Sequence, residues 1–308
     1  MSITNRTFDI GHDLSESLAL ADASGLNFPH IADWGYRFSS WALDVPENGH
    51  VWLNGDAKII GWVVMQTPFW AIDCIAGTNA PSSLYAEMIE WAVNRARDMS
   101  REKIGRPMWF LSIGAHRGKE RSTLEASGLE DVSDVGEDSW SKVILELTDE
   151  SRLEPVKLPA GLTIRSLNVQ NELQKYVDLH REVFASESMT IRWRERTTLL
   201  PEYQNVLDLV VVDDHGDLQG FCVGWLRRLV SGEIVGQVEP MGVRQKQRGK
   251  RLSRQLMTTA IKLFRELGAK RVFVETDVQR IEAMAAYRAT GYSVLHDVLV
   301  YKHTVPQT

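Results

Sequence analysis

From Arg244 to Arg254 the chain reads Arg-Gln-Lys-Gln-Arg-Gly-Lys-Arg-Leu-Ser-Arg, with six cationic residues and no acidic one, in a protein of formal net charge −6. An apolar run ending Pro240-Met241-Gly242-Val243 leads into it, and an amphipathic pattern begins at Leu252. A glycine-bearing turn feeding a helix start presents backbone N–H groups and the positive end of the helix dipole, which suits an anion such as phosphate. Just upstream, Glu239 stands among Ile234, Val235, Val238, Pro240, Met241 and Val243. A carboxylate is costly to bury there unless it is paired or works as a base. Strand alternation over Gln237, Glu239 and Met241 puts Gln237 and Glu239 on one face. Glu275 and Asp277, at the end of a following apolar run, are rival carboxylates. Tyr287, amid Ala and Met, reads by itself as a core aromatic.

These groups must be positioned by a sizeable fold. The 308 residues suffice for two domains, each with its own core. There is no long apolar run, and the polar N-terminus does not read as a signal peptide. Cys74 and Cys222 lie in apolar runs and read as buried reduced thiols, too few for a disulfide framework or a zinc site. A cytoplasmic location is expected, with no membrane partner. The basic residues form one local patch, which argues against a nucleic-acid partner. His180, His296 and His303 are too scattered for a metal or a triad and read as surface or helix residues. The oligomeric state is left open.

The polar stretch Thr148–Gly161 with its two prolines is the expected boundary. The halves on either side share a plan. Asn54-Gly55-Asp56 followed by Ile59–Val64 matches His215-Gly216-Asp217 followed by Leu218–Val223, each a hairpin turn and a buried strand. Helix ends at Gly128 and Gly291 match too, and the offsets drift by only a few residues, as in a duplicated fold. In the second half, strands are expected at 162–167, 207–212, 220–226, 234–238, 271–274 and 293–301. Helices are expected at 169–184, 252–267 and 281–290. The alternation implies an α/β architecture of α+β type: two tandem domains, each a mostly antiparallel mixed sheet flanked by helices.

The second half, from about Leu158 to His303, resembles the GNAT N-acetyltransferase superfamily on three features. Val238–Val243 looks like the splayed central strand whose end pairs with the pantetheine arm. Arg248-Gly249-Lys250-Arg251-Leu252-Ser253 matches the pyrophosphate loop, with Arg251 and Ser253 in place of the usual Gly and Ala. Ala283–Tyr292 matches the A-x-x-x-Y-x-x-x-G-[FY] helix and strand start. Arg280 stands where Asn is common, and Arg251 requires the backbone there to avoid a glycine-only conformation. The resemblance implies acetyl-CoA as co-substrate and no metal. Met241, Gly242, Val243 and the loop Arg248–Arg254 would hold CoA, Tyr287 would protonate the departing thiolate, and Glu239 would serve as base. The reaction expected is acetyl transfer to a primary amine of a small molecule or protein by direct attack on the thioester. Two alternatives stay open: a non-catalytic acyl-CoA-binding regulatory module, and an acetyltransferase like mycothiol synthase, whose tandem layout is similar.

The first half keeps the pattern without the chemistry. Its turn Ala76–Ser83, leading into the helical pattern 84–99, carries no Arg or Lys, and Leu124 stands where Tyr287 stands. Residues 1–150 are therefore expected to form a degenerate GNAT-like domain, and residues 158–308 the catalytic, acetyl-CoA-binding one. Eight of the ten tryptophans lie in the first half, at 34, 41, 52, 62, 70, 91, 109 and 140, mostly as core. Trp34, Tyr36, Trp41, Phe69 and Trp70 fall in loop-like sequence and are candidates for a cleft wall.

Overall fold

Apolar runs closed by turns, and amphipathic stretches stopped by glycine, set the element order. The protein is described by a computed structural model covering residues 2–25, 28–102, 107–135, 142–154 and 157–306. The elements are β1 (Thr4–Thr7), α1 (Ile10–Ala23), α2 (Trp34–Phe38), β2 (Gly49–Leu53), β3 (Ile59–Gln66), β4 (Ala71–Ala76), α3 (Leu84–Arg101), β5 (Met108–Gly114), α4 (Gly118–Ala126), β6 (Glu130–Asp131) and β7 (Lys142–Leu147). The chain continues with β8 (Leu162–Ser166), α5 (Leu173–Phe184), α6 (Ile191–Thr198), β9 (Asp208–Asp213), β10 (Leu218–Arg228), β11 (Ile234–Val243), α7 (Leu252–Glu266), β12 (Arg271–Asp277), α8 (Ile281–Ala289) and β13 (Tyr292–Thr304).

Two compact units result, and neither is a continuous half. One takes Met1–Pro29, Ser40–Lys142 and His296–Thr308; the other takes His30–Ser39 and Val143–Leu295. The expected division into 1–150 and 158–308 is corrected accordingly. The reason is strand pairing: β13 forms an antiparallel ladder with β5, from Val298↔Gly114 to Thr304↔Met108, while β7 takes its place beside β12. Arg271 fixes β7 there by donating from Nε and Nη2 to the two Glu146 oxygens, at 2.5 and 2.7 Å.

In the first unit the strand order is β1-β2-β3-β4-β5-β13. Neighbours run antiparallel except β4 and β5. Helix α3 lays Leu84, Met88, Ile89, Ala92 and Ala96 into a core with Val63, Ile72, Leu111 and Leu124. Trp52, Trp62 and Trp109 are buried here, as expected of core aromatics, Trp34 is buried in the other unit, and Trp140 lies outside the described residues.

The second unit orders its strands β7-β12-β11-β10-β9-β8. Pairs from β8 to β11 are antiparallel, and β11–β12 is parallel. Helix α7 buries Leu252, Leu256, Met257, Ala260, Ile261 and Phe264. It approaches closely because Gly224 and Gly236 leave room for the Phe264 ring; a Cβ at either position would meet that ring at 2.6 or 2.7 Å. Expected elements are found within a few residues, with three differences. Helix α5 starts at Leu173, not 169, because Val169–Glu172 form a turn. Helix α6 joins them as an unexpected element, its Arg194 wholly buried in an ion pair with Asp208. His180 and His303, expected on the surface or simply helical, are buried; His180 packs among Tyr176, Phe184 and Phe221. Both cysteines are buried free thiols.

Candidate active site

The parallel ladder between β11 and β12 runs only from Val235↔Arg271 to Val238↔Val274, although the strands continue to Val243 and Asp277. Past that point β11 stays with β10 through Cys222↔Met241, Phe221↔Gly242 and Gly220↔Val243. The edge of Met241–Val243 that faces away from β10 is thereby released from the sheet. A bulge accompanies the parting: Gly224 pairs with Val238 but Cys222 with Met241, so Glu239 and Pro240, joined by a cis peptide bond, together oppose Val223. This corrects the simple alternation over 237, 239 and 241. Met241 and Val243 return to the α7 side, against the core that holds Val238. Gly242 faces α5 so closely that a Cβ would lie 2.5 Å from Val183.

Beyond β11 the basic segment forms one short turn, Gln245–Gln247, and then the start of α7. The backbone N–H groups from Gly249 to Arg254 find no acceptor among the described residues, while Gln255 already donates to the Arg251 carbonyl. Six consecutive N–H groups at the positive end of a fifteen-residue helix form a cradle of donors open to an anion. Gly249 has φ +77° and Arg251 φ +61°. The expectation that Arg251 would avoid the glycine conformation is thus corrected: the arginine adopts it.

The cationic side chains divide by task. Arg248 and Arg251 are exposed and in no ion pair among the described residues. Lys250 donates to Gln247 Oε1 at 2.7 Å, and Gln247 donates to Gln219 Oε1 at 3.1 Å, a brace holding the turn to β10. Arg254, expected on the cofactor, instead donates to the carbonyls of Arg152 and Ala289 and pairs with Glu154; only its backbone N–H faces the cradle. Leu252 contributes its N–H likewise, its side chain being core. The half-buried Ser253 adds its N–H as well.

Tyr287 lies on α8 with its ring edge-on to Tyr292 at 5.8 Å. Only 8% of it is exposed, yet its hydroxyl makes no hydrogen bond among the described residues. Burial, then the charge of Glu239, raise its pKa, with Arg280 opposing, so the phenol keeps its proton. Glu239 is half-buried, and its carbonyl accepts from Trp225 Nε1 at 2.5 Å. Burial first, with a smaller contribution from the Glu239 carboxylate, also raises the pKa of Tyr36 and of Tyr176. Glu239 and Tyr287, 48 positions apart in the chain, are thus brought within electrostatic reach of each other. Of the rival carboxylates, Asp277 accepts from the N–H of Gln279 at 2.9 Å and is 4% exposed, and Glu275 is half-buried.

Sequence reasoning missed the brace Gln219–Gln247–Lys250 and the placement of His30–Ser39 in this unit. The glutamine inside the basic run was the one available signal for the brace. In the first unit β4 and β5 pair only at Ala71↔Phe110. The turn before α3 carries no cation, and Leu124 is fully buried core.

The family described as Acetyltransferase (GNAT) family matches residues 173–292, from the start of α5 to the start of β13. The match covers less than half of the chain, and the whole chain shares its fold with tandem GNAT proteins. A GCN5-related N-acetyltransferase from Sphaerobacter thermophilus superposes with TM-score 0.64 at 17% identity, covering 99% of this chain and 97% of that one. A tandem GNAT protein from the clavulanic acid biosynthesis pathway gives TM-score 0.64 at 13% identity, with full coverage of both chains. An acetyltransferase of the GNAT family from Colwellia psychrerythraea gives 0.56 at 10% identity, covering 99% of this chain and all of that one. No curated protein matches the chain. Among the described residues no helix is long and apolar enough to cross a membrane, and no group of three or more His, Cys, Asp or Glu is arranged to hold a metal.

Proposed function

We propose that the second unit is an acetyl-CoA-dependent N-acetyltransferase acting on a primary amine of a small molecule or protein. The observation that carries this reading is the parting of β11 from β12 upstream of six N–H groups that find no acceptor among the described residues. The released edge of Met241–Val243 can pair with an amide-bearing arm such as pantetheine, and the cradle at Gly249–Arg254 can take the diphosphate, aided by Arg248 and Arg251. Holding the thioester beside the amine is worth up to roughly 7–11 kcal/mol of the barrier in well-oriented systems. The neutral amine attacks the thioester carbonyl, a C–N bond forms, and the C–S bond breaks. Glu239 takes the amine proton, directly or through water, and Tyr287 gives its proton to the departing sulfur. A general acid of this kind contributes about 10²–10⁴-fold. The first unit keeps the fold without the cations or the tyrosine, and we assign it no CoA chemistry.

The test combines calorimetry of CoA binding with release of free thiol from acetyl-CoA over spermidine, tyramine, glucosamine and a lysine-containing peptide. Tyr287→Phe should lower kcat by about 10²-fold or more and leave CoA affinity unchanged. Turnover within about threefold of wild type would remove Tyr287 from the mechanism. Tight CoA binding with no turnover of any amine would favour a regulatory acyl-CoA binder instead.

A further inference from the structure

Ten residues from the early part of the chain, His30–Ser39, belong to the acetyltransferase unit. They are clipped to β11 immediately before it parts from β12. Gln237, 1% exposed, accepts on Oε1 from the N–H groups of both Ile31 and Ala32, each at 2.7 Å. Arg227 of β10 donates to the Ile31 carbonyl at 2.6 Å. Farther along the segment, the Tyr36 ring stacks on Trp193 of α6 at 5.0 Å and tilts against Trp225 of β10 at 5.8 Å. Trp193 Nε1 donates to the Tyr36 carbonyl, and the Ser39 and Thr197 hydroxyls meet at 3.0 Å. Trp225 in turn donates to the Glu239 carbonyl. A continuous set of contacts therefore runs from Gln237, through the segment and Trp225, to the bulge that aims Glu239.

Building on the acetyltransferase reading, we propose that Gln237 is a positioning residue: by clipping His30–Ser39 onto β11 it fixes the bulge and holds Glu239 toward the acceptor side of the opening. A β-bulge leaves its residues less restrained than a regular ladder, so its geometry needs support from outside the sheet. Burying a carboxamide for this task is favourable only while both N–H groups reach it. The segment also gives this unit a dependence on the N-terminal part of the chain that the catalytic motifs do not reveal.

The test uses the full-length protein, acetyl-CoA and whichever of the four amines turns over fastest. Gln237→Leu removes the acceptor of both N–H bonds, whereas Gln237→Glu keeps an oxygen in place. The expectation for Gln237→Leu is a kcat lowered by about tenfold or more with CoA affinity within about twofold of wild type. Gln237→Glu should recover kcat to within about threefold and move the acid limb of the pH profile upward, because a second carboxylate then neighbours Glu239. If Gln237→Leu does not fold, Arg227→Met, which cuts the bond to Ile31, takes its place with the same expectation. Unchanged kcat in Gln237→Leu, or an equal loss in Gln237→Glu without a pH shift, overturns the positioning role. Failure of wild type to bind CoA would strike the acetyltransferase reading; impaired Tyr287→Phe beside normal Gln237→Leu would strike only this inference.

Discussion

Arg251 holds φ +61° and ψ +20° at the N-cap of α7, a left-handed backbone that costs an L-residue about 1–2 kcal/mol. Glycine would relieve that strain but regain roughly 0.4–1 kcal/mol of freedom in the unfolded chain. Arg251→Gly should therefore raise stability by no more than about 1.6 kcal/mol, measured by denaturant unfolding. Loss of a charge-assisted contact should weaken CoA about tenfold by calorimetry. At this scale the motif singled out Arg248, Gly249 and Tyr287, whose proposed roles depend on near neighbours. The side-chain partners of Arg254, namely Arg152, Glu154 and Ala289, were not legible because they are remote in sequence. Gln237 was recognisable only as sharing a face with Glu239; its two N–H partners come from two hundred positions away.

Among the elements, the contact of α7 with the sheet depends on absent side chains. Gly236 receives the Phe264 ring, and a methyl there would sit 2.7 Å from Cδ1. The ring is fully buried and its own core leaves it little room to retreat. Gly236→Ala should cost about 1–3 kcal/mol in urea unfolding. It should also reduce CoA affinity, because α7 carries the cradle at its start. Helix and strand positions were legible from periodicity, with Gly268 and Gly291 stopping α7 and α8 at φ +86° and +94°. The bulge at Glu239–Pro240 was not read, although Pro240 inside a central strand is its one sequence signal, because a bulge is defined by the register against β10. Helix α6 has six charged or threonine positions and one well-buried apolar residue, Trp193, and it is anchored by the Arg194–Asp208 pair and by Tyr176 beneath the guanidinium at 4.0 Å.

For the molecule as a whole, acid should be more damaging than base near neutrality. Burial first, then the charges of Arg194 and Arg181, hold His180 down to about 3 from an ordinary 6.5. Between those values the unfolded chain binds a proton that the folded one refuses, so stability falls as pH drops from 6.5 toward 3. Buried His303 is depressed in the same direction. His180→Phe, which keeps an aromatic beside Phe184 and Phe221, should flatten the decline of Tm between pH 7 and 5. A slope equal to wild type would assign the acid sensitivity elsewhere. The tandem plan was legible from paired hairpins and glycine stops, but the allotment of segments to units was not, because a strand's periodicity does not state its partner.

The placement of β13 against β5 has a consequence for synthesis. Until residues 298–304 have left the ribosome, the early-made unit has an open edge along Met108–Gly114, and that edge closes only once they pair with it. A premature stop near residue 296 would thus leave the early-made unit, encoded mostly by the front of the message, without its final strand.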